Sequence, residues 1–196
     1  MHLAFDILQG AGLAAGVGIR PFLPGLLAGL LATGNLGVDF NHTDYSFLES
    51  PVFLVALLAA LLAVAYAERR LGVDGVESGP LGAAIGGISI GLGALLFAGS
   101  LADHHHTAWP GLIGGVACAA LAQASARSLF ARVRARLDDA AKAALPAYAE
   151  GAGLVVAGLS VLLPPLSIVA LGFLAWLLIT GRRREGRKYA GLRVLR

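Results

Sequence analysis

The sequence predicts an all-α transmembrane fold: three full spans, a proline-broken or re-entrant N-terminal segment, and a re-entrant C-terminal helical hairpin. Three observations carry this. Of 196 residues, 57% are hydrophobic and 14% charged, with a mean hydropathy of +0.76, against about 25% charged residues in an ordinary soluble domain. The charges are gathered between long uncharged windows, each near or above the roughly 20 residues a helix needs to cross the hydrocarbon core. The 27 glycines and 8 prolines are spread through apolar sequence, which membrane helices tolerate because neighbouring helices re-satisfy broken backbone hydrogen bonds. A single cysteine, Cys118, excludes an intrachain disulfide and a Cys-based metal cluster. Residues 1–196 read as one membrane domain.

The first window, 7–38, holds one charge, Arg20, with Pro21 and Pro24 beside it. Proline removes a helical hydrogen bond and clashes with the preceding turn, so the segment 7–34 is broken there. Two arrangements fit: one kinked span with the N-terminus inside, or a hairpin entering from outside with its tip at Ile19–Pro24. No cleavable leader is expected, since Met1 to Asp6 carry no Lys or Arg and the apolar run continues past any leader core. Three spans follow at 51–67, 80–101 and 109–126. A basic interfacial helix is predicted over 127–148, with Leu129, Val133, Leu137, Ala141 and Leu145 at i, i+4 spacing and Arg134–Asp138 and Asp138–Lys142 as same-face ion pairs. The last window, 151–181, is broken at Pro164–Pro165.

Lys and Arg set the orientation. The segments 33–50 and 102–108 have none. The segment 68–79 has Arg69 and Arg70, 127–149 has five, and the tail from 180 has seven. By the positive-inside rule the last three face the cytoplasm, in the plasma membrane. The final window therefore starts and ends inside, yet two full crossings need about 40 residues. A re-entrant hairpin over 151–180, followed by a basic cytoplasmic tail at 181–196, satisfies both constraints. A single kinked span breaking the charge rule is the alternative.

Packing and repeats are legible in outline. Gly82/Gly86, Gly87/Gly91, Gly12/Gly16, Gly25/Gly29 and Gly111/Gly115 are small-xxx-small pairs that allow close helix approach. Residues 30–36 resemble residues 95–101, each followed by an acidic, His-bearing segment, as a parallel duplication would leave them. Ala11-Gly12-Leu13 and Ala152-Gly153-Leu154 each precede a proline break.

Few residues offer chemistry. Arg20 in an apolar window costs about 2.5–3.5 kcal/mol even on the lenient insertion scale. A helix starting near Pro24 would aim free N–H groups and its positive dipole end at the break. Arg20, Pro24 and Gly25 thus make a positive pocket suited to a phosphate or carboxylate, with Pro164 and Pro165 as the opposing wall. The competing reading has Arg20 at the interface, snorkelling to lipid phosphate or pairing with an acidic residue in the outer loop. Asp103, His104 and His106 are weak metal candidates. Consecutive helical histidines point about 100° apart, and no His-Glu-x-x-His spacing is present. Ser160 and Ser167 flank the second proline break and fit a backbone-satisfying role. Tyr66 and Glu68 read as an interface anchor. There is no Gly-x-Ser-x-Gly elbow, P-loop or dinucleotide fingerprint.

Gly16-Val-Gly-Ile-Arg-Pro-Phe-Leu-Pro24, Gly29-Leu-Leu-Ala32, Ser46-Phe-Leu48 and a span ending in Glu68 resemble an uncharacterised domain-of-unknown-function family, numbered four-one-two-six, of small bacterial integral membrane proteins. The resemblance covers most of the chain. It implies a membrane protein and supplies no activity. The first functional expectation is a small transporter or flippase for an anionic solute or lipid head group, bound near Arg20 and needing no cofactor. The alternatives are a non-catalytic scaffold or regulatory protein, and a metal-dependent enzyme using His104–His106. Expected partners are a bilayer with anionic lipids and a second copy of the chain, not nucleic acid.

Overall fold

The computed structural model describes residues 2–190. They form seven α-helices: α1 (His2–Ile19), α2 (Phe22–Thr33), α3 (Pro51–Ser78), α4 (Pro80–Ala102), α5 (Trp109–Arg134), α6 (Asp139–Leu162) and α7 (Leu166–Ala190), with a single 3-10 turn at Ser46–Glu49. No strand occurs among the described residues. Four helices contain segments long and apolar enough to cross a membrane, Pro51–Glu77, Pro80–Ala102, Trp109–Arg134 and Ala141–Leu162. Large apolar side chains face outward along them, with Val52 81% exposed and Leu162 77%. So broad an apolar exterior suits lipid rather than water. The chain is a multi-pass helical membrane protein.

Prolines and glycines set the boundaries. Pro51 and Pro80 open their helices in the first turn, where a missing N–H costs nothing. The Ser50 side chain accepts a hydrogen bond from the Phe53 amide at 3.3 Å, capping α3. Helices α2 and α4 end in the same way. Asn35 and His105 take positive φ, and the next amides, Leu36 and His106, donate five residues back to Leu31 and Leu101. This Schellman closure recurs where the sequence suggested a duplication.

The N-terminal segment is a hairpin. Gly12 of α1 abuts Ser160 and Ser167, Gly16 abuts Gly153 and Ala157, and Gly153 abuts Pro24. Helix α1 therefore runs antiparallel to α6. Helix α2 runs back alongside α6, with Leu27 beside Gly158 and Gly37 beside Val161, and the Gln9 side chain donates to the Gly37 carbonyl. The turn is at Arg20–Pro21. Of the two arrangements open to the sequence, this is the one entering from the side that also carries residues 34–50 and 103–108.

The C-terminal segment also turns at Leu163–Pro165, but its helices are longer than the uncharged window. Helix α6 begins at Asp139, so a fourth helix reaches spanning length. The single basic helix expected over 127–148 does not form. Arg127–Arg134 continues α5, the chain breaks at Ala135–Asp138, and the Asp138 side chain caps α6 by accepting from the Ala141 amide at 2.9 Å. The uncharged window ends at Glu150, but the helix does not: α6 runs from Asp139 to Leu162. Glu150 instead lies inside α6, beside Arg20. Helix α7 leans on α5, where Ser125 Oγ donates to the Leu174 carbonyl at 2.8 Å.

The core sits where α1 meets α4, α5 and α6, around Leu13, Val17, Leu92, Leu96 and Ala157. Gly111 and Gly115 admit the backbone of α4 against α5, whereas Gly87 and Gly91 have nothing near them. Only some of the small-residue pairs are packing positions.

Candidate functional site: a charge cluster at the helix break

The two ends of the bundle differ in charge. At one end Arg20 lies in the turn between α1 and α2 and is 9% exposed. Its Nη1 donates to Glu68 at 2.9 Å and its Nη2 to Glu77 at 3.1 Å. Glu77 in turn accepts from Arg134 Nη2 at 2.7 Å, and Arg134 Nη1 also pairs with Asp74. One chain of ion pairs thus ties the α1–α2 tip to the end of α3 and the end of α5.

Glu68 and Glu77 are nine positions apart, about 13 Å along a straight helix, yet both reach one guanidinium. The bend that permits this is at Gly72, φ 75° and ψ 159°, a conformation open essentially to glycine alone. Nothing lies within 4 Å of the position a Gly72 side chain would take, so backbone conformation alone requires glycine there.

Glu150 completes the cluster from α6. The Leu23 amide, in the first turn of α2, and the charges of Arg20 and Glu68 act on its carboxylate. Its Oε2 is buried without a hydrogen-bond partner. Arg20 shares a cavity of about 50 Å³ with Glu77, Gly82, Ile85, Ser89 and Gln123, which places it level with the first turns of α4. A larger cleft of about 650 Å³ opens between α3 and α6; Glu68, Glu150, Arg134 and Lys142 line it together with apolar residues such as Leu61 and Val64. Glu68 and Glu150 reach that cleft, and Arg20 stands behind them.

The opposite end is acidic. Asp6, 4% exposed, lies 3.3 Å from His104 Nδ1 and 3.8 Å from His106 Nε2. Asp103 accepts from the Asp39 amide at 3.3 Å. Burial raises the Asp103 carboxyl above its ordinary range, and burial followed by the Asp39 charge raises Glu49. The metal candidates Asp103, His104 and His106 are close in space, but among the described residues no group of three His, Cys, Asp or Glu side chains converges to hold an ion. The two histidines instead tie the α4–α5 turn to the start of α1.

Of the proposed pocket residues, Arg20, Pro24 and Gly25 are together at the α1–α2 tip. Pro24 packs on Gly153, and Gly25 sits against Leu92 and Leu57. Pro164 and Pro165 are not there. They adjoin Ser160 and Ser167, which meet α1 at Gly12, eight positions or about 12 Å along α1 from Arg20. Because α1 and α6 run antiparallel, α6 leads away from Arg20 and the second proline break falls level with the middle of α1. Glu68, Glu77 and Glu150 were missed as partners. The sequence reading looks for an acidic partner in the outer loop, whereas all three stand at the opposite end, with Glu68 and Glu77 on α3.

Fold and site together define a multi-pass helical membrane protein built on two broken-helix hairpins, with a buried charge cluster at one tip. The chain belongs to the family described as Domain of unknown function (DUF4126), whose model matches residues 7–184. Comparisons with curated proteins and with solved structures returned no match.

Proposed function

We propose that this protein is a small membrane carrier, a transporter or flippase, that handles a phosphate- or carboxylate-bearing solute or lipid head group at the α1–α2 tip. The observation that carries the reading is the opposed pair of hairpins. The hairpins α1–α2 and α6–α7 open toward opposite ends, pack antiparallel through Gly12, Gly16 and Gly153, and place a helix start beside a buried arginine. Inverted broken helices with half-helix N-termini facing a site are the recurrent build of secondary transporters.

Both hairpins are re-entrant on this reading. Helix α2 has 12 residues, about 18 Å against a hydrocarbon core of about 30 Å. The α6–α7 tip stops level with Gly12, about 15 Å along α1 from its start. The Arg-rich end faces the cytoplasm, by the positive-inside rule, and the Asp6 end faces outward; the tail beyond residue 190 lies outside the described residues. Ligand enters through the cleft between α3 and α6. The ligand anion then settles beside Arg20 at the start of α2, where a planar guanidinium suits a phosphate or a carboxylate.

A scaffold is the second reading. It is favoured by the fact that both Nη atoms of Arg20 already hold carboxylates. Anion binding by the full-length protein in phosphatidylcholine nanodiscs separates the two. The probes are sulfate, for a free anion, and short-chain phosphatidylglycerol, for a lipid head group. A carrier gains thermal stability with one of them, following the concentration dependence of native-state binding, and Arg20→Lys weakens the effect. A scaffold gains nothing from either probe.

A further inference from the structure

Glu150 stands beside the start of α2: it lies one turn before Gly153 on α6, and Gly153 abuts Pro24 and the Arg20 amide. The Leu23 amide and the Arg20 charge both act on its carboxylate, the two features that would recognise an external anion. It also lines the cleft through which such an anion would arrive. Glu68 is placed differently, bonded directly to Arg20 at 2.9 Å. Glu150 keeps one oxygen buried and without a hydrogen-bond partner.

We propose that Glu150 is a proton-linked competitor for the anion site: ionised, it occupies the start of α2, and on taking a proton from the cleft it yields that place to a phosphate- or carboxylate-bearing ligand. The inference rests on the anion-site reading above. A carboxylate and a ligand anion at one short helix end repel, and removing one charge lifts that repulsion. Binding the anion therefore takes up a proton, and outward release of the anion returns it. The groups facing Glu150 are Arg20 from the break, Glu68, Arg69 and Asp74 from α3, Arg134 from α5 and Lys142 from α6, with Glu77 behind Arg20. Among them Glu68 and Glu77 are ion-paired with Arg20 and Asp74 with Arg134, which leaves Glu150 as the carboxylate able to change state without breaking one of these pairs.

The test is the pH dependence of anion binding to the full-length protein in nanodiscs. Sulfate and short-chain phosphatidylglycerol serve as probes because neither changes charge between about pH 5 and pH 8. Wild-type affinity should fall as pH rises, by up to about tenfold per unit while one proton is linked to binding. Glu150→Gln should bind at high pH as tightly as the wild type does at low pH, with a flat profile. Glu150→Asp, which keeps a titrating carboxyl, should keep a slope, and so should Glu68→Gln. Wild-type binding independent of pH, or an unchanged slope in Glu150→Gln, overturns the role of Glu150 and leaves the anion site standing. No binding of either probe by any variant at any pH overturns the anion site and this inference together.

Discussion

Arg20→Gln is the most informative single change, because its cost can be worked from the pairs it breaks. The Arg20 and Glu68 side chains are 11% and 12% exposed, so Gln at position 20 strands a buried carboxylate. Breaking a buried pair from one side costs about 3–5 kcal/mol. The second arm adds little. Glu77 is 35% exposed, in the range where ion pairs contribute about 0–1 kcal/mol, and Arg134 continues to hold it. The sum is about 3–6 kcal/mol, or roughly 6–24 °C of Tm in a chain of this length. Cys118, the sole cysteine, packs partly buried against the cluster of Ala11, Ala14, Phe97 and Leu101. A thiol-reactive dye therefore reports unfolding without further engineering. Adding Glu68→Gln to Arg20→Gln neutralises the stranded group and should recover stability, with a coupling of about 2 kcal/mol. An Arg20→Gln protein within about 0.5 kcal/mol of wild type, or a double variant no more stable than the single one, would refute the buried-pair account.

Four further outcomes follow from the geometry. Gly72→Ala should cost about 1–3 kcal/mol through backbone strain alone, measured by the same dye; an unchanged Tm would mean that α3 does not need its bend. Gly16→Leu should abolish the folded state or the α1–α6 contact, since even a Cβ there meets the Gly153 carbonyl and Ala157; normal stability would contradict the antiparallel packing. Glu49 carries a carboxyl raised by burial and by Asp39, so the folded protein binds that proton more readily than the unfolded chain. Its stabilising contribution is present below the ordinary carboxylate range and lost as pH rises through and above it. Glu49→Gln should therefore raise Tm near neutral pH and flatten the loss above that range, and a lower Tm would reverse the sign. In a Cys118→Ser background, single cysteines at Leu3, Tyr45 and Thr107 should label from one side of the membrane and those at Gly75 and Arg136 from the other; Leu3 labelling with Gly75 would break the N-terminal hairpin.

The helical class, the positions of both proline breaks and the charge polarity of the two ends were legible because each rests on composition or local chemistry. Pro21 and Pro164–Pro165 stop helices wherever they occur, and Arg20 stood out as a lone charge in an apolar run. The partners of Arg20 were not legible by the same means. Glu68 and Glu77 come from one helix bent at Gly72, and a glycine at positive φ leaves no local trace that separates it from 26 others. Glu150 was lost for a different reason: a charged residue was taken to end a span, whereas inside a bundle a carboxylate is tolerated beside a guanidinium. That one assumption shortened α6, displaced the basic helix and hid the third acidic neighbour of Arg20. The separation of Pro164–Pro165 from Arg20 is a matter of helix direction, which apolar periodicity does not encode.

The carrier reading is tested most directly by translocation in proteoliposomes that hold the purified protein, with radiolabelled sulfate as the soluble probe and fluorescent phosphatidylglycerol as the lipid probe. Wild-type protein should move one of the two across the bilayer faster than protein-free vesicles, faster with the Arg-rich side acidified, and the folded Arg20→Gln/Glu68→Gln protein should not. Wild-type vesicles indistinguishable from protein-free ones with both probes, at acid and neutral pH, would contradict the carrier account and leave the charge cluster as a structural tie between α1, α3 and α5.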